Sequence, residues 1–464
     1  MKKYILIILC CLTSFPLWSY NVNMIVEHYS VDQGLPNNTV NCTLKDRDGF
    51  IWFGTWYGLC CFDGVKFKTF NKQEHDSDVP PRKIQRIVED KNGYIWVKTI
   101  DRKLYVFNKV TECFHAVYDD MKNYSENIQV IKLQNTAEGD VLLLTKDKNL
   151  LLAGVDEKGQ VTIKILFDSR DEINKHDYTL KHHVLCETEE YISWIGTDYK
   201  VSAVHKGAEL ASRPADFITS KINSGDKDSF TSFFEDGRKV WVGDRAGIFY
   251  SIDVRTGLVN RYVLSEIKGA ISNLLVTPAG YVYLSVAGQG TYEYDLAERR
   301  LQKINTEMND AMVTHAFIDQ YDKIWFHENE KALIYYDPLN HTAKRFPFTM
   351  FGKITTLYSE DAGERGLFFL SPAGEAWLFD REHAEMVYIN KLKQLSNDRA
   401  NQQFYHLMLD NDGVLWLSSA DEGVYCMNFP KKQFNLLSLS PQSAGRENYA
   451  TGVRALFQSK SGDI

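Results

Sequence analysis

The chain has 464 residues, 44% of them hydrophobic and 13% aromatic, which is enough to bury a large core, and its net charge is −8. Acidic and basic side chains are interspersed, so no basic stripe offers itself to a phosphate backbone, and composition argues against a nucleic-acid partner. Length alone would divide the chain into roughly two or three domains, but a repeat overrides that prior.

In chain order, Lys2-Lys3 precede an apolar run from Tyr4 to Leu12 and a more polar stretch ending at Ser19. A charged start, a short apolar segment and a small residue for cleavage read as a secretory signal over residues 1–20, not as a membrane span. Cys10 and Cys11 lack the small residue expected just before a lipidated cysteine. No later stretch reaches the roughly 18 consecutive apolar residues that a spanning helix needs. The expectation is an exported, periplasmic, soluble chain. Six later cysteines, Cys42, Cys60, Cys61, Cys113, Cys186 and Cys426, lack the spacing of a disulfide scaffold or a zinc site and read as small buried hydrophobes.

From residue 40 a short phrase recurs every 42 to 52 residues: an acidic turn ending in Gly, an aliphatic residue, then an aromatic. In the first copy Val40 to Leu44 alternates as a half-buried strand, and Asp46-Arg47-Asp48-Gly49 turns. Ile51 to Thr55 is the second strand, Trp56-Tyr57-Gly58 a loop, Leu59 to Phe62 the third, Asp63-Gly64 a turn and Lys66 to Phe70 the fourth. Four short antiparallel strands joined by hairpins make one propeller blade. The second copy repeats the frame with Ile84 to Val88, Asp90 to Gly93, Ile95-Trp96-Val97 and Leu104 to Phe107.

Leu142, Trp194, Trp241, Tyr283, Trp325, Phe368 and Trp416 occupy or approximate the anchor position in later copies, which gives nine blade-like repeats. The fold class is all-β: a β-propeller of four-stranded antiparallel blades, with residues 21–437 as the array and seven to nine blades in the ring. Each anchor ring is expected to fill the wedge between two twisted sheets. Ile25 to Tyr29 has no blade of its own and has the character of a surplus outer strand that completes the last blade. Residues 438–464 look like the start of a further blade or a second propeller.

The wording from Tyr29-Ser30-Val31-Asp32-Gln33-Gly34-Leu35-Pro36 through Gly49 to Thr55, Gly58-Leu59 and Phe62-Asp63-Gly64 resembles the two-component regulator propeller family. That resemblance implies the periplasmic sensor half of a hybrid two-component system controlling glycan use in gut bacteria. It also implies a second propeller, a membrane helix and a histidine kinase beyond this segment. No kinase histidine, nucleotide-binding Gly-rich segment or receiver Asp can be assigned here. This segment is therefore read as a sensor without enzymatic activity, reaching the membrane only through a further C-terminal region.

Hairpins between first and second strands lie on one face of a propeller, and loops between second and third strands lie on the other beside the blade-to-blade connections. The first set here is monotonous and the second varies, as recognition loops should. The variable set holds Trp56, Tyr57, Asp101, Arg102, Asp198, Tyr199, Asp244, Arg245, Glu328, Asn329, Asp421 and Glu422, and the connections add Asn37, Asn38, Arg82, Lys83 and His182. Aromatic rings stack on sugar faces while Arg, Asn and Asp bond hydroxyls, carboxylates or sulfates, so an oligosaccharide suits the set. Trp56, Tyr57, Arg82, Arg102, Tyr199 and Arg245 are the candidate ligand-binding residues. The bland alternative is that each merely solvates a loop, and a second propeller or second protomer would cover Trp56-Tyr57 equally well.

No catalytic residue, metal or cofactor is assigned. Asp46-Arg47-Asp48-Gly49 and Asp410-Asn411-Asp412-Gly413 echo part of a calcium loop without its downstream Glu, and read as hairpins. His182-His183 lacks a partner at a matching interval. Alternative functions are a propeller lyase or hydrolase with acid and base groups at the channel mouth, or a protein-interaction scaffold.

Overall fold

The computed structural model describes residues 25–70, 72–73, 80–122, 129–147, 149–167, 180–188, 190–196, 201–207, 217–220, 230–304, 313–328, 331–351, 358–361, 366–371, 375–391 and 404–428. Among these, the strands form nine antiparallel four-stranded sheets, the second carrying a short fifth strand, Lys72–Gln73. Blades 1 to 8 are consecutive meanders over 40–70, 84–116, 130–167, 180–220, 230–262, 271–303, 313–347 and 358–391. Blade 9 takes three strands from 404–428, and its outermost strand is Ile25–Tyr29, paired antiparallel with Val424–Asn428 from Ile25 opposite Asn428 to Tyr29 opposite Val424. The surplus strand thus closes the ring on the ninth blade, and the fold is a β-propeller.

The first strand of each blade is innermost, and the core is a chain of wedges between neighbouring blades. Trp52 packs with Ile87, Val97 and Phe107 of blade 2, and Trp96 with Leu133, Leu143 and Leu151 of blade 3. Trp325 packs with Phe369 and Phe379 of blade 8, and Trp416 with Val40 and Phe53 of blade 1, which carries the core across the closure. Close approach is needed beside the anchor. A Cβ on Gly54 would lie 2.5 Å from Cys42 Sγ and 2.5 Å from Ile84 Cγ2, and Gly243 would meet Ser232 Oγ and Ile271 in the same way. The five cysteines whose side chains are described are buried and free.

The turn preceding each anchor does more than reverse the chain. Asp46 Oδ1 accepts the backbone N–H of Asp48 (3.0 Å) and Phe50 (2.9 Å), while Oδ2 accepts the Trp52 indole N–H at 2.7 Å. Asp90 repeats this with Asn92, Tyr94 and Trp96, Asp319 with Tyr321, Lys323 and Trp325, and Asp410 with Asp412, Val414 and Trp416. In blade 5, Asp236 does it over a turn one residue shorter, holding Trp241 at 2.7 Å.

Blades 3, 4 and 6 carry Thr136, Thr188 and Thr277 at this turn position, each hydroxyl accepting one turn N–H. Their anchors are Leu142, Ser193 and Tyr283, none with an indole to satisfy. Ser193, not Trp194, holds the anchor register of blade 4, opposite Cys186. The Tyr283 hydroxyl turns to Glu293 instead, which also accepts from Tyr336 of blade 7. A carboxylate therefore stands where two kinds of donor must be met, and a hydroxyl suffices where only the turn needs an acceptor.

Blade 3 supplies the design for a test on blade 2. Asp90→Thr keeps the turn but orphans the indole, at about 2 kcal/mol, and Trp96→Leu removes buried ring volume at about 2–3 kcal/mol. The double variant is expected to cost less than the sum by about 1 kcal/mol, measured by urea unfolding; strict additivity would show the indole bond to be dispensable.

Candidate functional site

Backbone hydrogen bonds tie the second-to-third-strand loops to the blade connections on one face. Trp56 N–H donates to Thr39 O at 3.2 Å and Lys83 N–H to Trp56 O at 2.9 Å, and Ile100 N–H in turn reaches Lys83 O at 2.9 Å. Val130 N–H donates to Arg102 O, and Gly423 N–H to Asn38 O. On this rim Trp56 is 41% and Tyr57 65% exposed. The Tyr57 N–H is held by Thr55 Oγ1, and the Lys83 ammonium stands 5.3 Å from the centre of the Trp56 ring. Lys83 and Arg102 both hold left-handed backbone, at φ 50° and 67°.

Arg82, Arg102 and Arg245 are exposed on the same face, and Tyr199 lies outside the described residues, as do Asp198 and Asn329. Of His182 only the backbone is described. Three loop acids have internal tasks. Asp244 is buried and caps its turn through Ala246 and Ile248, Glu328 is buried against Arg345 at 3.0 Å, and Glu422 accepts the Tyr425 hydroxyl at 2.6 Å. Asn37 and Asn38 likewise accept backbone N–H groups from Thr39 and Val31. These residues are engaged in shaping the rim, and Trp56, Tyr57, Arg82, Arg102 and Arg245 stand exposed on it.

Inside the rim, the first strands begin at the central channel, and most carry a bulge after their first residue. The residue just past that bulge is Arg86 in blade 2, Lys132 in blade 3, His315 in blade 7 and His406 in blade 9, and Cys42, Ser232 and Asn273 in blades 1, 5 and 6. None of the seven is acidic. Arg86 stands directly opposite Lys98. The buried Lys98 ammonium donates to Gln85 Oε1 at 2.9 Å and to Ile131 O of blade 3. Burial, with Arg102 and Arg86 adding like charge, lowers Lys98 to about 8. Burial and the Arg86 guanidinium lower His406 to about 4, and its Nδ1 is buried without a hydrogen-bond partner. Sequence reading passed over this group as strand interior. The available signal was the recurrence of Arg, Lys and His at one strand position.

The opposite, hairpin face is stitched by ion pairs between blades. Lys109 of blade 2 reaches Asp46 (3.1 Å) and Asp48 (2.7 Å) of blade 1 as well as Glu89 (2.8 Å). Those three carboxylates are close enough together to hold a metal ion, but the Lys109 ammonium already stands among them. Lys45 bridges to Asp410 and Asp412 of blade 9, Arg381 joins Asp319 to Asp361, and Lys206 joins Glu138 to Glu187. A cleft of about 850 Å³ opens here between blades 1 and 2, floored by Trp52 and Phe70. Much of its wall charge is paired internally, Lys68 with Glu112, Arg47 with Glu89 and Lys109 with its trio.

Nine blades closed into a ring, with one uniform and one variable face, define a β-propeller. Residues 34–57 match the family described as two component regulator propeller, so the chain carries a repeat of that family. No sequence among the curated proteins matches. Similar solved structures include the extracellular domain of BT4673 from B. thetaiotaomicron, named a one component system in one structure and a hybrid two component system in another. In the first of these the identity is 16% and the TM-score 0.38, over 85% of this chain and 65% of that one. The extracellular domain of BT3049 from the same organism is 14% identical with a TM-score of 0.33, over 86% of this chain and 58% of that one. BamB from Moraxella catarrhalis is 12% identical with a TM-score of 0.39, over 89% and 99%. The chain spans 65% and 58% of the length of the BT4673 and BT3049 domains. Among the described residues no helix is long and apolar enough to cross a membrane.

Two measurements test this electrostatic layout. Lys109→Met leaves three facing carboxylates and is expected to cost about 2–4 kcal/mol, partly restored by millimolar calcium, while the melting temperature of the unaltered protein ignores calcium. His406 has a folded value near 4 against 6.5 when free, so the unfolded chain takes up the proton first as pH falls. Its contribution to stability is complete above pH 6.5 and is lost as pH falls toward 4. Melting curves of His406→Gln should show a shallower acid limb than the parent, and an identical limb would contradict the assignment.

Proposed function

We propose that this chain is the ligand-sensing module of a hybrid two-component regulator, working outside the cytoplasm and binding an oligosaccharide on its variable face. The family match at residues 34–57 supports the sensor class. The observation that carries the ligand reading is the pair Trp56 and Tyr57, exposed side by side on a backbone pinned from both flanks. Large rings left in water at a fixed position have most to gain from covering an apolar sugar face, and Arg82 and Arg102 of the adjoining blade, with Arg245 across the ring, supply donors for hydroxyls or acids. Tyr199, which lies outside the described residues, completes the candidate set by its place in the sequence. Binding acts through the packing of this propeller against a further propeller or a second protomer. Phosphoryl transfer belongs to a kinase region that this sequence does not contain, and the module itself is not an enzyme.

Calorimetry with a broad panel of oligosaccharides is the direct test. At least one is expected to bind, with Trp56→Ala and Tyr57→Ala each weakening it by roughly tenfold at unchanged melting temperature. Absence of binding across the panel, or product release from any polysaccharide, would sink the reading.

A further inference from the structure

Arg86, Lys98 and Arg102 gather cationic charge at the channel mouth. Among the described residues no carboxylate pairs with the side chain of Arg86, Lys98 or Arg102, although the chain as a whole carries a net charge of −8 and its hairpin face is laced with ion pairs. Arg86 and Lys98 are set directly opposite each other on neighbouring strands, an arrangement that repels. Lys98 is 6% exposed and has only neutral acceptors, Gln85 Oε1 and the Ile131 carbonyl. Arg86 is exposed, and its charge also reaches Cys42 of blade 1 and His406 of blade 9. His406 adds a buried Nδ1 with nothing to bond.

A protein gains no stability from burying a cation beside another without an anion, so the arrangement asks for a ligand that brings the anion. The hairpin face shows the contrast, since Lys109 is less enclosed than Lys98 and is nevertheless met by three carboxylates. The first strands start on the variable face, so these groups lie at the same end of the ring as Trp56, Arg82 and Arg102.

We propose that Arg86, Lys98, Arg102 and His406 form an anion-binding site at the channel mouth, which receives a carboxylate or sulfate borne by the saccharide. This deepens, and rests on, the reading of the variable face as the ligand face. Arg86 meets the anion from the channel, Lys98 supports it from the blade 2 to blade 3 seam, and His406 offers its unpartnered ring nitrogen. The ligand class is thereby narrowed to acidic oligosaccharides, with Trp56 and Tyr57 taking the sugar rings.

Calorimetry at low ionic strength with four probes decides it: trigalacturonate, a sulfated galactotriose, neutral galactotriose and inorganic sulfate. One of the two acidic trisaccharides is expected to bind at least roughly tenfold more tightly than the neutral one, and which of them does so identifies carboxylate or sulfate. Added salt should erode that preference. Arg86→Gln should abolish it with the melting temperature unchanged. Lys98→Met should lower acidic-ligand affinity while raising the melting temperature, an opposition that a purely structural lysine would not produce. Equal binding of neutral and acidic trisaccharides, unaffected by Arg86→Gln, overturns the anion site and leaves the sensor reading standing. Binding of sulfate alone, lost in Arg86→Gln, with no saccharide bound, supports the site and sinks the oligosaccharide reading. Silence from all four probes overturns the anion site, and the broad panel then decides the sensor reading independently.

Discussion

A carboxylate has two oxygens, and this ring depends on using them for different jobs. At Asp46, Asp90, Asp236, Asp319 and Asp410 one oxygen closes a hairpin and the other holds the indole that fills the seam between blades. Local turn chemistry is thus bound to tertiary packing through a single side chain. A turn that lost its shape would release the wedge, and a displaced wedge would leave a buried charge half-satisfied. Asp90 goes further, since its second oxygen also accepts the Val155 N–H of blade 3, so one residue ties a turn, an anchor and a neighbouring blade. In the Thr-bearing blades the turn side chain serves the turn, and in blade 6 the tie to the next blade runs instead through Glu293, which meets both Tyr283 and Tyr336.

That economy separates the two faces of the ring. Hairpins that carry the Asp must present both of its oxygens in a set geometry, as even the shorter Asp236 turn does, so their face is uniform, and its remaining charge goes into bridges such as Lys109 and Arg381. The other face has no comparable obligation beyond the backbone bonds that fix its loops. Exposed aromatics, unpaired cations and left-handed residues such as Lys83 and Arg102 can persist there because the scaffold beneath does not rely on them.

The architecture was legible in the sequence because its signal is periodic and local: turn, aliphatic, aromatic, repeated until nine copies could be counted. The same phrase placed the strands of blade 1 to within a residue, and Ile25 to Tyr29 was recognisable as a surplus outer strand, whose pairing with Val424–Asn428 the structure supplies. Blade 4 was misleading because Trp194 stands one residue from the anchor register, and a large ring near the right place outweighs a Ser in any reading by residue type. The partnership of Asp with Trp and of Thr with Leu, Ser or Tyr was visible in principle, but only after the register of every blade was known. The channel cations were hidden for a different reason. Arg86, Lys98 and His406 are distant in sequence or lie within apolar strands, and only ring closure brings blades 1, 2 and 9 together. Of the six candidate residues chosen from the sequence, the five that are described, Trp56, Tyr57, Arg82, Arg102 and Arg245, share a face by topology, and ligand contact is a matter of chemistry that periodicity does not encode.

The pairing of Ile25–Tyr29 with Val424–Asn428 has a consequence for time as well as for shape. Each blade can form from its own short meander, so most contacts mature early and locally, whereas this last pairing joins the two extremes of the array and carries the largest loop-closure entropy in the molecule. During synthesis the segment that will seal the ring emerges ahead of every blade and waits, its own edge unpaired until Val424–Asn428 has been made. Closure therefore acts as a checkpoint: a chain with any blade missing or slipped cannot bring Tyr29 to Val424. The same strand is the point at which pulling on the N-terminus would unzip the ring, which makes the seam between first and last blades its mechanical fuse.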